Sequence, residues 1–338
     1  MEQYYYRSLN KEEQSAYHAM LSGFQDISSS FPVLRLENET LAKIYAFVRM
    51  DHPELFYLTG YKYRFYPDSA YVELLPEYLF EKKKVLDHQK ALSSRIAKLV
   101  RPAANMKDTE KLKYVHDFIC TNVHYDKLKK PYSHEIIGPL TNGTGVCEGI
   151  AKSFKILCDE LGIWCITAIC ANNPEKGIRY RHMWNIVRLN GTYYHLDATF
   201  DNTLGEPEAV RYDYFLLPDS MIFKDHEPVI YPVPKCTDAG RFYYKEKKLS
   251  FTKPEEVSRR CLQAAKRGKT LDFQWRGGGL SRSILLELIK VIEEEAEKKE
   301  KHAVISVNFT QAVLRISFHA QQPEETIIEQ HANEGEQD

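Results

Sequence analysis

Gly143–Ala151, reading G-T-G-V-C-E-G-I-A, constrains this chain more than any other stretch. Gly143 and Gly145 precede a cysteine, Cys147, and Gly149 follows it. An apolar-periodic run starts at once with Ile150, Phe154, Ile156, Leu157 and Leu161, and Gly162 ends it. That spacing predicts a helix of about four turns with one buried face. The glycines permit a tight approach that a Cβ would resist. Cys147 is therefore expected in the first turn, where unpaired N–H groups and the positive end of the macrodipole favour a thiolate. A free thiol, with a pKa of about 8.5, is only a few per cent ionised at neutral pH. A helix N-terminus with an imidazolium beside it moves the balance to the thiolate. A buried structural cysteine is the other reading of the same residue.

Composition bounds the rest. The 338 residues are 43% hydrophobic and 28% charged, which predicts a globular chain of two or three domains. A formal net charge of -1 gives no global field towards nucleic acid or membrane. Seven cysteines without a C-x-x-C pair suit a reducing compartment better than a disulfide framework or a zinc site. Met1–Arg7 has no apolar region of signal-peptide type, and no apolar run approaches the ~20 residues that span a bilayer. A cytoplasmic protein is expected.

Along the chain, helices are predicted at 9–27, at Leu41–Val48 with Asn38 as cap, and at 81–103. Ser28–Ser30 and Pro32 end the first of these helices, and Tyr61–Tyr66 and Ala70–Phe80 read as strands. Residues 1–104 thus form an N-terminal α+β region without evident chemistry. A central segment, 105–236, holds a helix at Asp108–Val123 capped by Asp108 and the cysteine helix. Its strands are Ile163–Ala171, His182–Leu189, Thr192–Asp197 and Tyr212–Leu217. Residues 237–320 read as a small α+β domain. Its helices are Pro254–Lys266 and Ser281–Lys299, the latter capped by Ser281. Its strands are Arg241–Tyr244, Thr270–Trp275, Ala303–Phe309 and Ala312–Phe318. Residues 321–338 read as a disordered acidic tail.

A hairpin turn supplies the partners of Cys147. Asn190-Gly191 between two apolar runs is a strong two-residue turn signal, and it makes Leu189 face Thr192 and Val187 face Tyr194. Continued outward, His182 faces Thr199, and Asp197 becomes the diagonal neighbour of His182 on one face. A base beside an orienting carboxylate is what a nucleophilic cysteine requires. Glu148 or Asp201 could replace Asp197, but the turn places neither. Trp184 and His195 share the His182 face, as a screen, as support, or as plain packing.

Three motifs now stand in order: G-x-G-V-C-x-G-x-A at 143–151, H-x-W-N-x-V at 182–187 and H-L-D-A-T at 195–199. Together they resemble the signatures of the transglutaminase-like superfamily over roughly 108–230. The resemblance implies a papain-like α+β core, a cysteine at a helix N-terminus packed on an antiparallel sheet. It implies Cys147 as nucleophile, His182 as base and Asp197 as the residue that orients it. Phe200 stands where many members have Trp, which bears on the local wall of the site.

The expected activity is thiol-dependent acyl transfer on a peptide or protein amide, with hydrolysis favoured over amine transfer. Lys176, Arg179 and Arg181 beside His182 form a positive edge that repels a lysine substrate. The alternatives are a crosslinking transglutaminase, or a binding module that keeps the fold without turnover. No metal or other cofactor is expected, because no set of three or four ligands accompanies the motifs. Neither nucleic acid nor membrane is expected as a partner.

Overall fold

The computed structural model describes residues 3–176, 181–205 and 209–321. The chain divides into two compact units. One comprises Met1–Ala171, Arg181–Arg211 and Val229–Lys235; the other comprises Asn172–Tyr180, Tyr212–Pro228 and Cys236–Asp338.

The first unit opens with α1 (Lys11–Gln25), β1 (Phe31–Leu34), α2 (Asn38–Asp51), β2 (Leu58–Arg64), β3 (Tyr71–Tyr78) and α3 (Lys82–Val100). Asn10 caps α1 in a reciprocal box with Glu13. The helix ends before Ser28, as expected, and Pro32 lies in a strand the sequence reading did not assign: β1 is an edge strand in the order β1-β3-β2, and an edge can spare the N–H that proline lacks. One expectation is corrected here. Asn38 is not the cap of α2 but its first residue, and its side chain accepts from the Tyr63 hydroxyl instead.

Next come α4 (Asp108–Asn122), β4 (His124–Tyr125), β5 (Thr144–Gly145), α5 (Cys147–Glu160), β6 (Cys165–Cys170), β7 (His182–Leu189), β8 (Thr192–Leu196) and α6 (Ala198–Leu204). Asp108 also sits inside its helix rather than capping it. Glu110 closes that end by accepting from the backbone N–H of Lys107 at 3.1 Å. β6, β7 and β8 form an antiparallel meander with α5 packed against β7. Between β4 and β5 the chain makes a short 3₁₀ turn, Pro131–His134, and a π-helical turn, Gly138–Asn142, which gather over the start of α5. This unit is mixed α and β, with a cysteine helix on an antiparallel sheet.

The second unit contains β9 (Phe215–Leu217), α7 (Asp219–Ile222), α8 (Tyr243–Glu246), β10 (Ser250–Phe251), α9 (Pro254–Arg267), β11 (Leu271–Trp275), α10 (Arg282–Glu297), β12 (His302–Asn308) and β13 (Val313–His319). Its sheet runs β10-β11-β13-β12, and α9 and α10 cover it through Val257, Cys261, Leu288 and Ile292. Ser281 accepts from the N–H of Ile284 as the helix cap. The strand expected at Arg241–Tyr244 is instead the helical turn α8. Tyr244 is buried there and donates to Asp213 Oδ1 at 2.8 Å, a tertiary bond that a propensity reading cannot see. Among the described residues, no helix is long and apolar enough to cross a membrane. The acidic tail expected at 321–338 lies almost wholly outside the described residues.

Candidate active site

Cys147 is the first residue of α5 and is 9% exposed. Val146, extended at the N-cap, donates its N–H to Ser133 O at 3.0 Å, so the 3₁₀ turn is stitched to the helix start. Gly143 adopts φ +64°, a conformation that favours glycine. At Gly149 a Cβ would lie 2.2 Å from the carbonyl oxygen of Ser133, so only glycine lets this turn close over the helix. The apolar face beneath, with Ile150, Phe154 and Leu157 buried, fixes the axis that aims Cys147.

The hairpin sets the other side. Asn190 and Gly191 have φ of 51° and 82°, as a two-residue primed turn requires. The register runs Leu189↔Thr192, Val187↔Tyr194, Ile186↔His195 and Asn185↔Leu196. Asn185 also donates to Ala151 O at 2.9 Å, fastening β7 to α5. The ladder stops short of the expected His182–Thr199 pair. Asp197 leaves the strand and becomes the N-cap of α6, its Oδ1 accepting from the N–H groups of Thr199 at 2.8 Å and Phe200 at 3.2 Å. Its Oδ2 is left for His182 Nε2, which donates at 2.7 Å. The expected neighbours therefore meet, through a helix cap rather than through a continued ladder.

Cys147 is a second hydrogen-bond partner of the His182 side chain. Burial acts to lower the His182 pKa, but Asp197 and Cys147 outweigh it, and the value is raised to about 9. Trp184 stacks near-parallel to the imidazole, 6.3 Å between centroids, and Phe200 tilts against it at 4.7 Å. Phe200 thus forms an aromatic wall of the site. The Trp184 indole N–H donates to His195 Nδ1 at 3.0 Å, so the fully buried His195 holds the screening ring.

The two alternative carboxylates are engaged elsewhere. Asp201 lies 3.0 Å from His116 Nε2, both fully buried. Glu148 meets Arg49 at 2.9 Å, Lys152 at 2.8 Å and His134 at 3.4 Å. Sequence reasoning missed the Asp201–His116 link, whose only signal is a histidine inside the apolar stripe Leu112, Val115, Ile119. Of the expected positive edge, Arg181 is exposed, whereas the Lys176 side chain and Arg179 lie outside the described residues.

Residues 95–198 match the family profile of the transglutaminase-like superfamily, a span that contains Cys147, His182 and Asp197. This segment belongs to the transglutaminase-like superfamily. The curated relatives that match include the kyphoscoliosis peptidase of Mus musculus, 24% identical over 172 residues, covering 44% of this chain and 26% of the relative. The kyphoscoliosis peptidase of Homo sapiens is 24% identical over 171 residues, covering 44% and 25%. The match takes in about a quarter of the length of these relatives. Among solved structures, a TGase crystal structure aligns at TM-score 0.29 and 12% identity over 50% of each chain. A candidate cysteine protease from Cytophaga hutchinsonii aligns at TM-score 0.26 and 14% identity, over 42% of this chain and 62% of that one. The transglutaminase-like assignment rests on the sequence match.

Proposed function

We propose that this protein is a thiol-dependent hydrolase of peptide or protein amides, with Cys147 as nucleophile, His182 as proton carrier and Asp197 as the carboxylate that orients it. One observation carries the reading: an imidazole held by Asp197 at 2.7 Å through Nε2 and hydrogen-bonded as well to a helix-N-terminal thiol. The superfamily match supports it.

In the proposed reaction the Cys147 thiolate attacks the amide carbonyl, and the carbonyl π electrons move to oxygen. The Cys147 backbone N–H, one of the first-turn donors without an intrahelical acceptor, is suited to that oxyanion. The His182 imidazolium gives its proton to the departing amine as the C–N bond breaks, leaving a thioester. Neutral His182 then takes a proton from water, whose oxygen attacks the thioester. The acid leaves, and the thiolate–imidazolium pair is restored. Asp197, anchored by two backbone N–H groups, keeps the imidazole aimed through both steps. Seven free thiols suit a reducing compartment, and we place the protein in the cytoplasm on that ground.

Water as acceptor is favoured by the positive edge, of which Arg181 is the described member. A partition experiment tests it: an acyl-enzyme formed on a glutaminyl or peptidyl amide is offered a lysine analogue at rising concentration. Hydrolysis should dominate throughout. Transfer to the amine that outpaces hydrolysis at millimolar amine would instead make the protein a transamidase.

A further inference from the structure

The residue after Cys147 is an acid, and an unneutralised carboxylate there would oppose ionisation of the thiol. The structure surrounds that acid with charge drawn from three segments. From α2, one guanidinium nitrogen of Arg49, Nη2, reaches both Glu148 Oε1 at 2.9 Å and Glu135 Oε1. From one turn further along α5, Lys152 Nζ, 1% exposed, reaches Glu148 at 2.8 Å and both oxygens of Glu135 at 2.8 and 2.9 Å. From the 3₁₀ turn, His134 lies 3.4 Å from Glu148. Tyr45, one helical turn before Arg49, has its ring 5.5 Å from the guanidinium. Two cations thus face two anions, and among the described residues His134 and Tyr45 are further titratable groups against them.

We propose that Arg49 is a positioning residue for the proposed reaction: by neutralising Glu148, the N-terminal region sets the charge beside Cys147 and so keeps the thiol readily ionised. This rests on Cys147 being the nucleophile. The direction of the Glu148 equilibrium agrees. Burial raises its pKa, but Lys152, Arg49 and His134 more than reverse that and hold it well below the usual carboxylate range. The ionised carboxylate is therefore the favoured form of Glu148. Without Arg49 the cluster would carry one excess negative charge next to the thiolate. Two features argue against a merely adhesive role. A buried ion cluster gives little net stability over apolar packing. Within the cysteine helix, Arg49 also reaches the residue next to Cys147, Glu148, while its second partner, Glu135, follows the 3₁₀ turn that closes over that helix start.

The test reads thiol ionisation without any amide substrate. Iodoacetamide labelling of Cys147 in the full chain is followed against pH by mass spectrometry, with circular dichroism confirming the fold of each variant. Arg49→Gln should move the labelling profile up by about one pH unit, or about tenfold in rate on its acid side. Arg49→Lys, which keeps the charge, should return it. Arg49→Gln/Glu148→Gln, neutral again, should also return it, and Glu148→Gln alone should move it down. Should Arg49→Gln fail to fold, Glu148→Gln and the double variant still decide. Profiles for these variants that superimpose on the unsubstituted protein overturn the inference. Failure of Cys147 to label ahead of the other thiols overturns instead the assignment of the nucleophile.

Discussion

His182 keeps its proton well beyond the range of an ordinary imidazole. Burial alone would drive that proton off, yet the carboxylate of Asp197 and the neighbouring Cys147 hold the pKa up at about 9. An imidazolium that persists through neutral pH is the partner a thiolate needs; Cys120 also lies against one, His116, but there burial outweighs it and raises the thiol. Burial raises the thiol of Cys158 well above its ordinary value, pushes Cys261 up to about 12 and moves Cys236 and Cys120 in the same direction. Cys147 should therefore be alkylated first at pH 6 by brief iodoacetamide treatment. His182→Ala should slow that labelling about tenfold or more by removing the ion-pair partner. Mass-spectrometric mapping checks both statements. First labelling of Cys158 or Cys236 would show that the thiolate is elsewhere.

The elements matter through their ends. The hairpin register was legible in sequence because side chains alternate along a strand and the Asn190-Gly191 turn leaves no freedom in pairing. The cysteine helix was legible because its apolar period and its glycines agree. Asp197 as a helix cap was not legible: a ladder extended by counting knows nothing of α6, which begins one residue later. Pro32 in β1 was missed for a related reason, since whether a strand is an edge is decided by what pairs with it. Arg49 was missed because its partners, Glu135 and Glu148, lie 86 and 99 residues away. One residue inserted between Asn190 and Gly191 should displace β7 against β8 and part His182 from Asp197, or force a bulge that absorbs the extra residue. Activity should fall by about a hundredfold or more while the circular dichroism spectrum stays close to that of the parent. Full activity would mean that the α6 cap alone positions Asp197.

At the scale of the molecule, the groups that serve the site also set the pH range in which the first unit is most stable. Glu148 has a depressed folded-state pKa. Its contribution is present above the ordinary carboxylate value and is lost as pH falls through the folded one. His182 works in the opposite sense. With its folded value raised to about 9 against an ordinary 6.5, its contribution is complete below about 6.5 and disappears as pH rises to about 9. The shift corresponds to about 3 kcal/mol, or several degrees in Tm for a unit of this size. His116 adds to the same alkaline limb. Burial lowers its pKa, but Cys120, Asp117 and Asp201 raise it well above the ordinary value. Calorimetry from pH 5 to 9.5 should therefore find the highest Tm near pH 5–6.5 and a decline towards pH 9. His182→Ala should start from a lower Tm and decline less steeply, the remaining slope belonging to His116. A variant whose Tm falls in parallel with the unsubstituted protein between pH 6.5 and 9 would show that the His182 charge is not coupled to folding. The ion pair proposed for catalysis would then lack its thermodynamic counterpart.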